Sequence, residues 1–470
     1  MNTRERSQSL FRSLLVLGGG ALLLAFMAFY NGYALTYPDT GAYIRAGMEG
    51  VVPNDRPIAY GLFIRHVSLH DTLWLVVLAQ CLLTAWTIRL FIRSFVTKFN
   101  HDLLFFISIG LLTAFTCLSQ KSSTLLPDFL TAPLGLLVTV WLFRPPGKMR
   151  DKIISLVIVV FALLSHTSHV FILILALVFV LLLRLRKKSG LREIPRKRFV
   201  FAAGLIVSAF LLLGTLNLGY SGRFFINQNQ HIFLMGRMVD AGIVEEYLNA
   251  NCDKKNYSLC AYKDSLPYSD FIWDYVRSPL YKVGGWEHTR PEFNRLMGDM
   301  LRDPRCLKRI VTKSAEYSAR QFFDFRMDLG SENPEQGPGS PSYIEVYRHF
   351  HHELRSYSSA LQQHDGLNYR RMENSQYVFV FLSWFLLILF FTMKNIRERI
   401  TSLGPVVRFL FLFVAANAVI CGCLSVVLPR YQTRVIWIFP LLLLIALAET
   451  GILSHLTDRL KKLIPGGNTN

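Results

Sequence analysis

Long apolar blocks divide the sequence, and they restrict what the chain can fold into more than any other feature. A helix needs about 20 apolar residues to cross ~30 Å of bilayer hydrocarbon. We interpret ten blocks as such spans. They lie at 13–35, 72–92, 103–120, 125–143, 153–165, 168–184, 199–218, 376–393, 406–428 and 433–453. The pattern predicts an all-α polytopic membrane protein with about ten transmembrane helices.

Two of these blocks come from one run of 32 residues, 153–184, that is interrupted by Ser165-His166-Thr167-Ser168-His169. One long tilted helix is an alternative. Two short helices that meet at the polar break are preferred, because both flanks of the run are basic. A single helix would also place the large hydrophilic segment on the cytoplasmic side.

Basic residues distinguish the two sides of this topology. With both termini in the cytoplasm, the inner side carries 25 of the 51 Lys and Arg residues, whereas the short outer loops carry six. The remaining 20 lie in 219–375, where 20 Asp and Glu residues balance them. This asymmetry follows the positive-inside rule. The net charge of +19 is therefore a topology signal and a contact for anionic lipid, and nucleic-acid binding is not expected.

The topology divides the chain into three parts. Residues 1–218 form an N-terminal membrane module of seven spans, with a first outer loop at 36–72, and residues 376–470 form a C-terminal module of three spans. Residues 219–375 are predicted to form one mainly helical outer domain. Within it, Asp303 followed by Pro304 has the pattern of a helix N-cap. The predicted localisation is a bacterial inner membrane, with this domain in the periplasm.

Cys252 and Cys260 lie eight positions apart in the outer domain. A disulfide between them is the natural interpretation in an oxidising compartment. Cys306 is an alternative partner for either of them.

Three histidines of the same domain, His349, His351 and His352, raise the question of a metal site. Their spacing matches no metal-ligand motif. A solvated helix face is the preferred interpretation, and no bound metal is expected.

Charged and polar residues gather at one level of the predicted topology. They come from five separate regions of the sequence, yet each is predicted to lie at the outer boundary of the membrane. Charged side chains are energetically costly there and usually have a function. The residues are Asp39, Arg56, Asp128, His166, His169, Arg430, Tyr431 and Arg434. Such convergence is what an active site at the membrane–water interface requires.

Each of these residues also has a simpler interpretation. Asp39 and Asp128 are placed where helix caps occur, and Arg56 is placed where a side chain snorkels to lipid headgroups. The two histidines can satisfy backbone groups at the helix break. Arg430 and Arg434 have the position of interfacial anchors.

The first outer loop contains Pro38-Asp39-Thr40-Gly41-Ala42-Tyr43 and then Arg56-Pro57-Ile58-Ala59-Tyr60. This arrangement resembles the GT-C fold glycosyltransferases, multi-span enzymes that take sugar from a polyprenyl-phosphate carrier on the outer membrane face. In that superfamily an acidic residue of the first outer loop is the usual catalytic residue. The resemblance assigns that place to Asp39, with Asp55 as a weaker candidate.

Two further elements, Pro127-Asp128-Phe129 and the stretch 430–437, resemble an uncharacterised bacterial branch of such membrane proteins. That branch shares the loop with the two cysteines, followed by Leu266-Pro267 and Trp273-Asp274. The resemblance covers about the first 145 residues and the topology. Because the first loop has no paired Asp-Glu, a metal-free mechanism without cofactors is preferred over one that uses a divalent metal.

Glycosyl transfer from a phospholipid donor defines the expected roles. Asp39 is the base that takes the acceptor proton, and Asp128 is a second carboxylate or orients the acceptor. Arg56, Arg430 and Arg434 bind the donor phosphate, because a guanidinium fork binds two oxygens. Substrate contacts are expected from Tyr43, Tyr60, His166, His169 and Tyr431.

The expected function is transfer of a sugar from a polyprenyl-phosphate donor to a lipid, glycan or protein acceptor on the periplasmic face. The expected partners are this donor, the acceptor and membrane lipid. A membrane O-acyltransferase is an alternative, with His166 or His169 as base. A lipid or polysaccharide transporter or polymerase component is another, although a transporter places ionisable residues along a path near the midplane. An assembly factor whose outer domain binds a partner is a non-catalytic alternative.

Overall fold

The structure is a computed structural model that describes residues 3–185, 191–327, 337–367, 369–455 and 457. Within these ranges the regular structure is helical, apart from an isolated bridge between Leu35 and Thr124. The predicted all-α fold class is confirmed to that extent.

The helices follow the chain in three groups. The first comprises α1 (Thr3–Leu24), α2 (Phe26–Asn31), α3 (Pro38–Glu49), α4 (Ala59–Val67), α5 (Leu73–Phe95), α6 (His101–Phe115), α7 (Leu118–Ser123), α8 (Thr131–Phe143), α9 (Met149–Ser165), α10 (Thr167–Arg184) and α11 (Arg196–Ser221). The second comprises α12 (Gln230–Asp240), α13 (Ile243–Asn251), α14 (Pro279–Lys282), α15 (Gly285–His288), α16 (Arg290–Arg302), α17 (Pro304–Phe323), α18 (Pro341–His349) and α19 (Leu354–Ser359). The third comprises α20 (Arg370–Thr392), α21 (Lys394–Arg399), α22 (Gly404–Leu424), α23 (Pro429–Ile436) and α24 (Ile438–Thr450). Short 3-10 helices lie at Pro127–Leu130, Leu191–Glu193, Ser258–Ser265, His351–Glu353, Leu361–His364 and Thr401–Leu403.

Six helical stretches in the described part of the chain are long and apolar enough to cross a membrane. They are Leu73–Phe95, Thr167–Arg184, Arg196–Ser221, Arg370–Thr392, Thr401–Leu424 and Pro429–Thr450. Leu10–Leu24, His101–Phe115 and Pro127–Phe143 are shorter apolar helices. The most enclosed stretch is Pro429–Thr450, in which 94% of an 18-residue apolar window is buried. The helix that carries Arg430 and Arg434 therefore runs through the centre of the bundle.

The polar break in the run 153–184 separates two helices, as the sequence predicts. α9 ends at Ser165, and His166 is the N-cap residue of α10, where its side chain accepts a hydrogen bond from the Ser168 amide. The alternative of one long helix is thereby excluded. His166 satisfies a backbone group at the break, as its simpler interpretation expects.

The block 13–35, predicted as one span, is not one continuous helix. α1 ends at Leu24 and α2 begins at Phe26. Ser119 interrupts the helical hydrogen bonding there, because its hydroxyl donates to the Leu24 carbonyl at 2.8 Å and accepts from the Met27 amide at 3.0 Å. A side chain inserted in this way is a recognised cause of a helix break.

The hydrophilic segment confirms two local predictions. The Asp303 side chain accepts from the amides of Arg305 and Cys306 and so caps α17. Cys252 and Cys260 form a disulfide, whereas Cys306 is a buried free thiol.

The segment 219–375 packs as two units rather than one. Buried side chains between positions 232 and 306 enclose a core of their own. Val346, Phe350 and Tyr357 belong instead to the main core of the apolar helices. α18 lies against α3 so closely that a Cβ on Gly41 would be 2.4 Å from the Pro341 carbonyl. Part of the predicted outer domain is therefore built onto the helix that carries Asp39.

Candidate active site

Two short helices position the polar residues of the first outer loop. Asp39 lies in the first turn of α3, after a proline at N1, where the helix dipole favours a carboxylate. α4 begins three residues after Arg56 and crosses α3 in close contact. A Cβ on Gly47 would lie only 2.0 Å from the Gly61 carbonyl oxygen. Glycine at both positions lets the two helices touch and brings Arg56 beside the start of α3.

The Asp39 carboxylate binds two arginines that are far apart in the sequence. Arg56 Nη2 donates to Asp39 Oδ1 at 3.0 Å, and Arg430 Nη1, 391 positions away, donates to Oδ2 at 2.8 Å. Asp55 forms a further ion pair with Arg56. The side chains of Asp39, Arg56 and Arg430 are 24%, 12% and 9% exposed. The convergence predicted for these three residues is therefore present, and the carboxylate is the most accessible member.

Aromatic rings hold the two guanidinium groups in place. The Arg430 guanidinium lies 4.3 Å from the Tyr37 ring centroid and 4.9 Å from that of Tyr431, and the Arg56 guanidinium lies 5.0 Å from that of Tyr43. Such contacts stabilise a cation and restrict its movement. Arg430 Nε is buried and has no hydrogen-bond partner among the described residues. Arg430 thus keeps one unused donor.

The electrostatics of the cluster favour an ionised Asp39. Burial raises the pKa of Asp39, but the positive charges of Arg56 and Arg430 and their hydrogen bonds outweigh it, so the pKa lies well below its usual range. Burial lowers the pKa of Arg56, yet Asp39 and Asp55 hold it above the usual value. A carboxylate held this way is a weak base until the arginines release it.

Arg434 and Asp128 form a second cluster one helical turn further along α23. Arg434 Nη1 donates to Asp128 Oδ1 at 2.5 Å, and Nη2 donates to Asn417 Oδ1 at 2.9 Å and to Ser168 Oγ at 3.3 Å. Arg434 is 1% exposed. Its hydrogen bonds are made inside the protein, and this geometry favours a structural role for the pair over the predicted phosphate-binding and catalytic roles.

Tyr431 connects the two clusters. Its ring lies near the guanidinium groups of both Arg430 and Arg434, with the latter 5.2 Å from the ring centroid. Its hydroxyl accepts from Arg430 Nη2 at 3.3 Å. Tyr431 therefore contacts both arginines of α23.

His169 and Tyr60 lie near the site but have no polar atom to offer a ligand. His169 bonds Thr131 Oγ1 through Nε2 and the Ala162 carbonyl through Nδ1, both at 2.7 Å. The Tyr60 hydroxyl donates to Gln80 at 2.5 Å. Both residues are fully buried. The substrate contacts predicted for these two residues have no support in this geometry. Tyr43 packs edge-on against Tyr60 and lies against the Arg56 guanidinium.

Two residues of the site escaped the sequence reasoning. Tyr37 directly precedes Pro38-Asp39, and its ring covers Arg430. Lys121 is buried and close enough to Asp128 to interact with it electrostatically. A lysine in the polar stretch 119–123, between two apolar blocks, was the signal that a buried charge lay there.

A cavity of about 630 Å³ adjoins the segment that leads into α23. Its wall includes Val426, Val427, Arg237 and Tyr317. Arg237 is buried, with its guanidinium carbon 3.5 Å from the Tyr317 ring centroid. The cavity has the size of a small-molecule site and offers both polar and apolar surface.

No protein-family model, curated protein or solved structure matches the chain. The resemblance to GT-C fold enzymes therefore rests on the first-loop residues and the arrangement of spans.

Proposed function

We propose that this chain is a membrane glycosyltransferase that moves a sugar from a polyprenyl-phosphate donor to a lipid, glycan or protein acceptor on the outer face of the membrane. The observation that carries the proposal is the contact of Asp39 with both Arg56 and Arg430. One carboxylate and two guanidinium groups, drawn from opposite ends of the chain, meet at a partly exposed position. Proton transfer and phosphate binding need these groups.

The proposal includes the topology that places this site outside the cytosol. Six long apolar helices supply most of the ten predicted crossings, and the shorter helices α1, α6, α8 and α9 account for the others. The excess of basic residues on the opposite side supports a cytoplasmic location for both termini. We place the protein in a bacterial inner membrane, with residues 219–375 in the periplasm.

The donor phosphate competes with Asp39 for the two arginines. When a phosphate oxygen pair binds Arg56 and Arg430, the carboxylate loses the partners that lower its pKa and becomes a stronger base. Asp39 then takes the proton of the acceptor hydroxyl. The hydroxyl oxygen bonds to the anomeric carbon, the bond from that carbon to the phosphate oxygen breaks, and the released phosphate keeps its negative charge on the arginines.

The same geometry favours inversion of the anomeric centre. Retention normally uses a second carboxylate as a nucleophile, close to the first. Asp128 is buried and bound to Arg434, and Asp55 is bound to Arg56. Asp39 is thus the carboxylate best placed to reach a substrate, and a single base gives inversion.

The alternatives have less support. An O-acyltransferase needs a histidine base, but both ring nitrogens of His169 are bonded within the protein, which leaves only His166. A transporter places charged residues along a path across the membrane. Here Arg430, paired with Asp39, and Arg434, paired with Asp128, lie about one helical turn apart on α23.

Lipid mass spectrometry of cells that lack the gene tests the proposal. We expect a prenyl-phosphate sugar to accumulate or a glycan to disappear, and wild-type protein but not Asp39→Asn to restore the pattern. Asp55→Asn, which leaves the contacts of Asp39 with both arginines in place, is the matched control and should restore it. Unchanged lipids in the deletion strain, or full rescue by Asp39→Asn at equal protein level, would overturn the proposal.

A further inference from the structure

A second polar cluster lies at the other end of α3, where that helix meets α18. Glu49 is the last residue of α3. Glu345 and His349 are one turn apart on α18 and so share one face of it. Within the described ranges, these three side chains are the one group of at least three His, Cys, Asp or Glu residues close enough to share a metal ion.

The distances suit a small cation with nitrogen and oxygen ligands. His349 Nε2 lies 3.3 Å from Glu345 Oε2 and 3.8 Å from Glu49 Oε1. All three ligand atoms lie within 4.8 Å of one another. Ligands bound tetrahedrally to zinc at about 2.0–2.2 Å are about 3.4 Å apart, so only small movements are needed to bind one ion.

An independent observation points to a ligand. Glu345 is 6% exposed, and its Oε2 atom has no hydrogen-bond partner within the described residues. His349 Nε2 is likewise buried without one. Buried polar atoms that make no hydrogen bond are costly, and the 3.3 Å contact between these two atoms is an ion pair only when His349 is protonated. These two atoms face each other, and a bound cation would satisfy both.

Two arginines orient the carboxylates and leave one oxygen of each for the cation. Arg45 Nε donates to Glu49 Oε2 at 2.9 Å, and Arg348 Nη1 donates to Glu345 Oε1 at 3.3 Å. The other oxygens, Glu49 Oε1 and Glu345 Oε2, are those nearest His349 Nε2. Outer partners that fix the orientation of a ligand in this way are typical of metal sites.

We propose that Glu49, Glu345 and His349 bind one divalent transition-metal ion, of which zinc is the best match to one imidazole and two carboxylates. The side chain of Glu49 is 32% exposed, so an ion can enter and water can complete the coordination. Glu49 lies ten positions from Asp39 along α3, about 15 Å away in a helix. The ion therefore takes no part in the chemistry at Asp39 and instead fastens α18 to α3.

This site changes the interpretation of the three neighbouring histidines. His351 and His352 are exposed, as a solvated helix face requires. The prediction of a solvated face is wrong for His349, which is half-buried and turned towards the two carboxylates. Sequence spacing could not reveal this, because Glu49 belongs to a different part of the chain.

Zinc binding by the full-length protein tests the proposal. The protein is purified without a polyhistidine tag, stripped with a chelator and equilibrated with Zn²⁺, and bound metal is measured by plasma mass spectrometry. We expect one equivalent in the wild type and in His352→Ala, the matched control, and only background in His349→Ala and Glu345→Gln. Glu49→Gln, at the exposed ligand, provides a second variant if a buried substitution prevents folding.

The competing explanation is an ion-pair network around a protonated His349. It predicts that no zinc binds and that the metal-free His349→Ala protein melts lower than the metal-free wild type. The metal site predicts that zinc raises the melting temperature of the wild type and of His352→Ala but not of His349→Ala. Substoichiometric zinc in the wild type, or equal zinc in His349→Ala, would overturn the proposal and leave the proposed activity at Asp39 unaffected.

Discussion

Replacing Asp39 by asparagine is expected to strengthen phosphate binding while it stops transfer. In the wild type the carboxylate occupies both arginines that a phosphate would use, with contacts of 3.0 Å to Arg56 and 2.8 Å to Arg430. A phosphate must displace it. An asparagine side chain has no charge, so it competes less well for the same two guanidinium groups.

The size of the effect follows from these two contacts. Hydrogen bonds to charged groups contribute about 1.5–3 kcal/mol each. In Asp39→Asn the amide oxygen keeps roughly one of the two hydrogen bonds to the arginines. A phosphate therefore has to displace about one charge-assisted hydrogen bond fewer than in the wild type. Since ~1.4 kcal/mol corresponds to a tenfold change, Asp39→Asn should bind a prenyl phosphate about 10- to 150-fold more tightly. Transfer should fall by about 10²–10⁴-fold, the contribution of a positioned base.

The assay is calorimetric titration of the purified protein with a short-chain prenyl phosphate, with the corresponding prenyl alcohol as the uncharged reference ligand. Asp55→Asn is the control, because it removes a carboxylate from Arg56 but leaves Arg430 bound to Asp39. Its affinity should rise less than that of Asp39→Asn. Unchanged or weaker phosphate binding by Asp39→Asn would refute the idea that the carboxylate and the phosphate share the two arginines.

Three further predictions concern stability. Arg434→Met removes the guanidinium bound to the buried Asp128 and should cost about 3–5 kcal/mol. Adding Asp128→Leu should recover most of the melting temperature, and a double variant as unstable as the single one would contradict this. Gly61→Ala should destabilise the protein by about 1–3 kcal/mol and so lower its melting temperature, because the new Cβ would lie 2.7 Å from the backbone of α3. Gly110→Ala, where the new Cβ meets open space, should leave the melting temperature unchanged. Because the pKa of Asp39 is lowered, its ion pairs should stabilise the protein at every pH above about 4 and lose this effect as the pH falls further. The difference in melting temperature between wild type and Asp39→Asn should therefore shrink only in acid.

The sequence alone predicted the apolar helices well, because length and composition determine them locally. α10, α11 and α20 lie close to the predicted spans 168–184, 199–218 and 376–393. The break within the first predicted span was not foreseen, because α1 and α2 are separated by hydrogen bonds from Ser119, a residue in another apolar block. Local hydrophobicity does not predict a contact with a distant part of the chain.

The meeting of Asp39 with Arg56 and Arg430 could be expected from the sequence, because the predicted topology places all three at one level of the membrane. The sequence could not show which of Arg430 and Arg434 would bind Asp39. These residues are four apart and lie on the same side of α23, yet Arg430 binds Asp39 and Arg434 binds Asp128. Which carboxylate each arginine reaches depends on how the surrounding helices pack.

The site at the far end of α3 shows the same limit more strongly. Glu345 and His349 have a spacing that any helix offers, and their partner Glu49 is almost 300 positions away. The close approach of Gly41 to Pro341 brings the two helices together. His349, which the sequence predicted to be solvated, thereby lies near two carboxylates, those of Glu49 and Glu345.

The most direct test of the central claim is an electron cryomicroscopy structure of the chain with a bound prenyl phosphate. The account predicts the phosphate between the guanidinium groups of Arg56 and Arg430, with each in hydrogen-bond contact at about 2.7–2.9 Å. It also predicts that the Asp39 carboxylate has moved off both arginines. A phosphate bound elsewhere, with Asp39 still bridging Arg56 and Arg430, would contradict it.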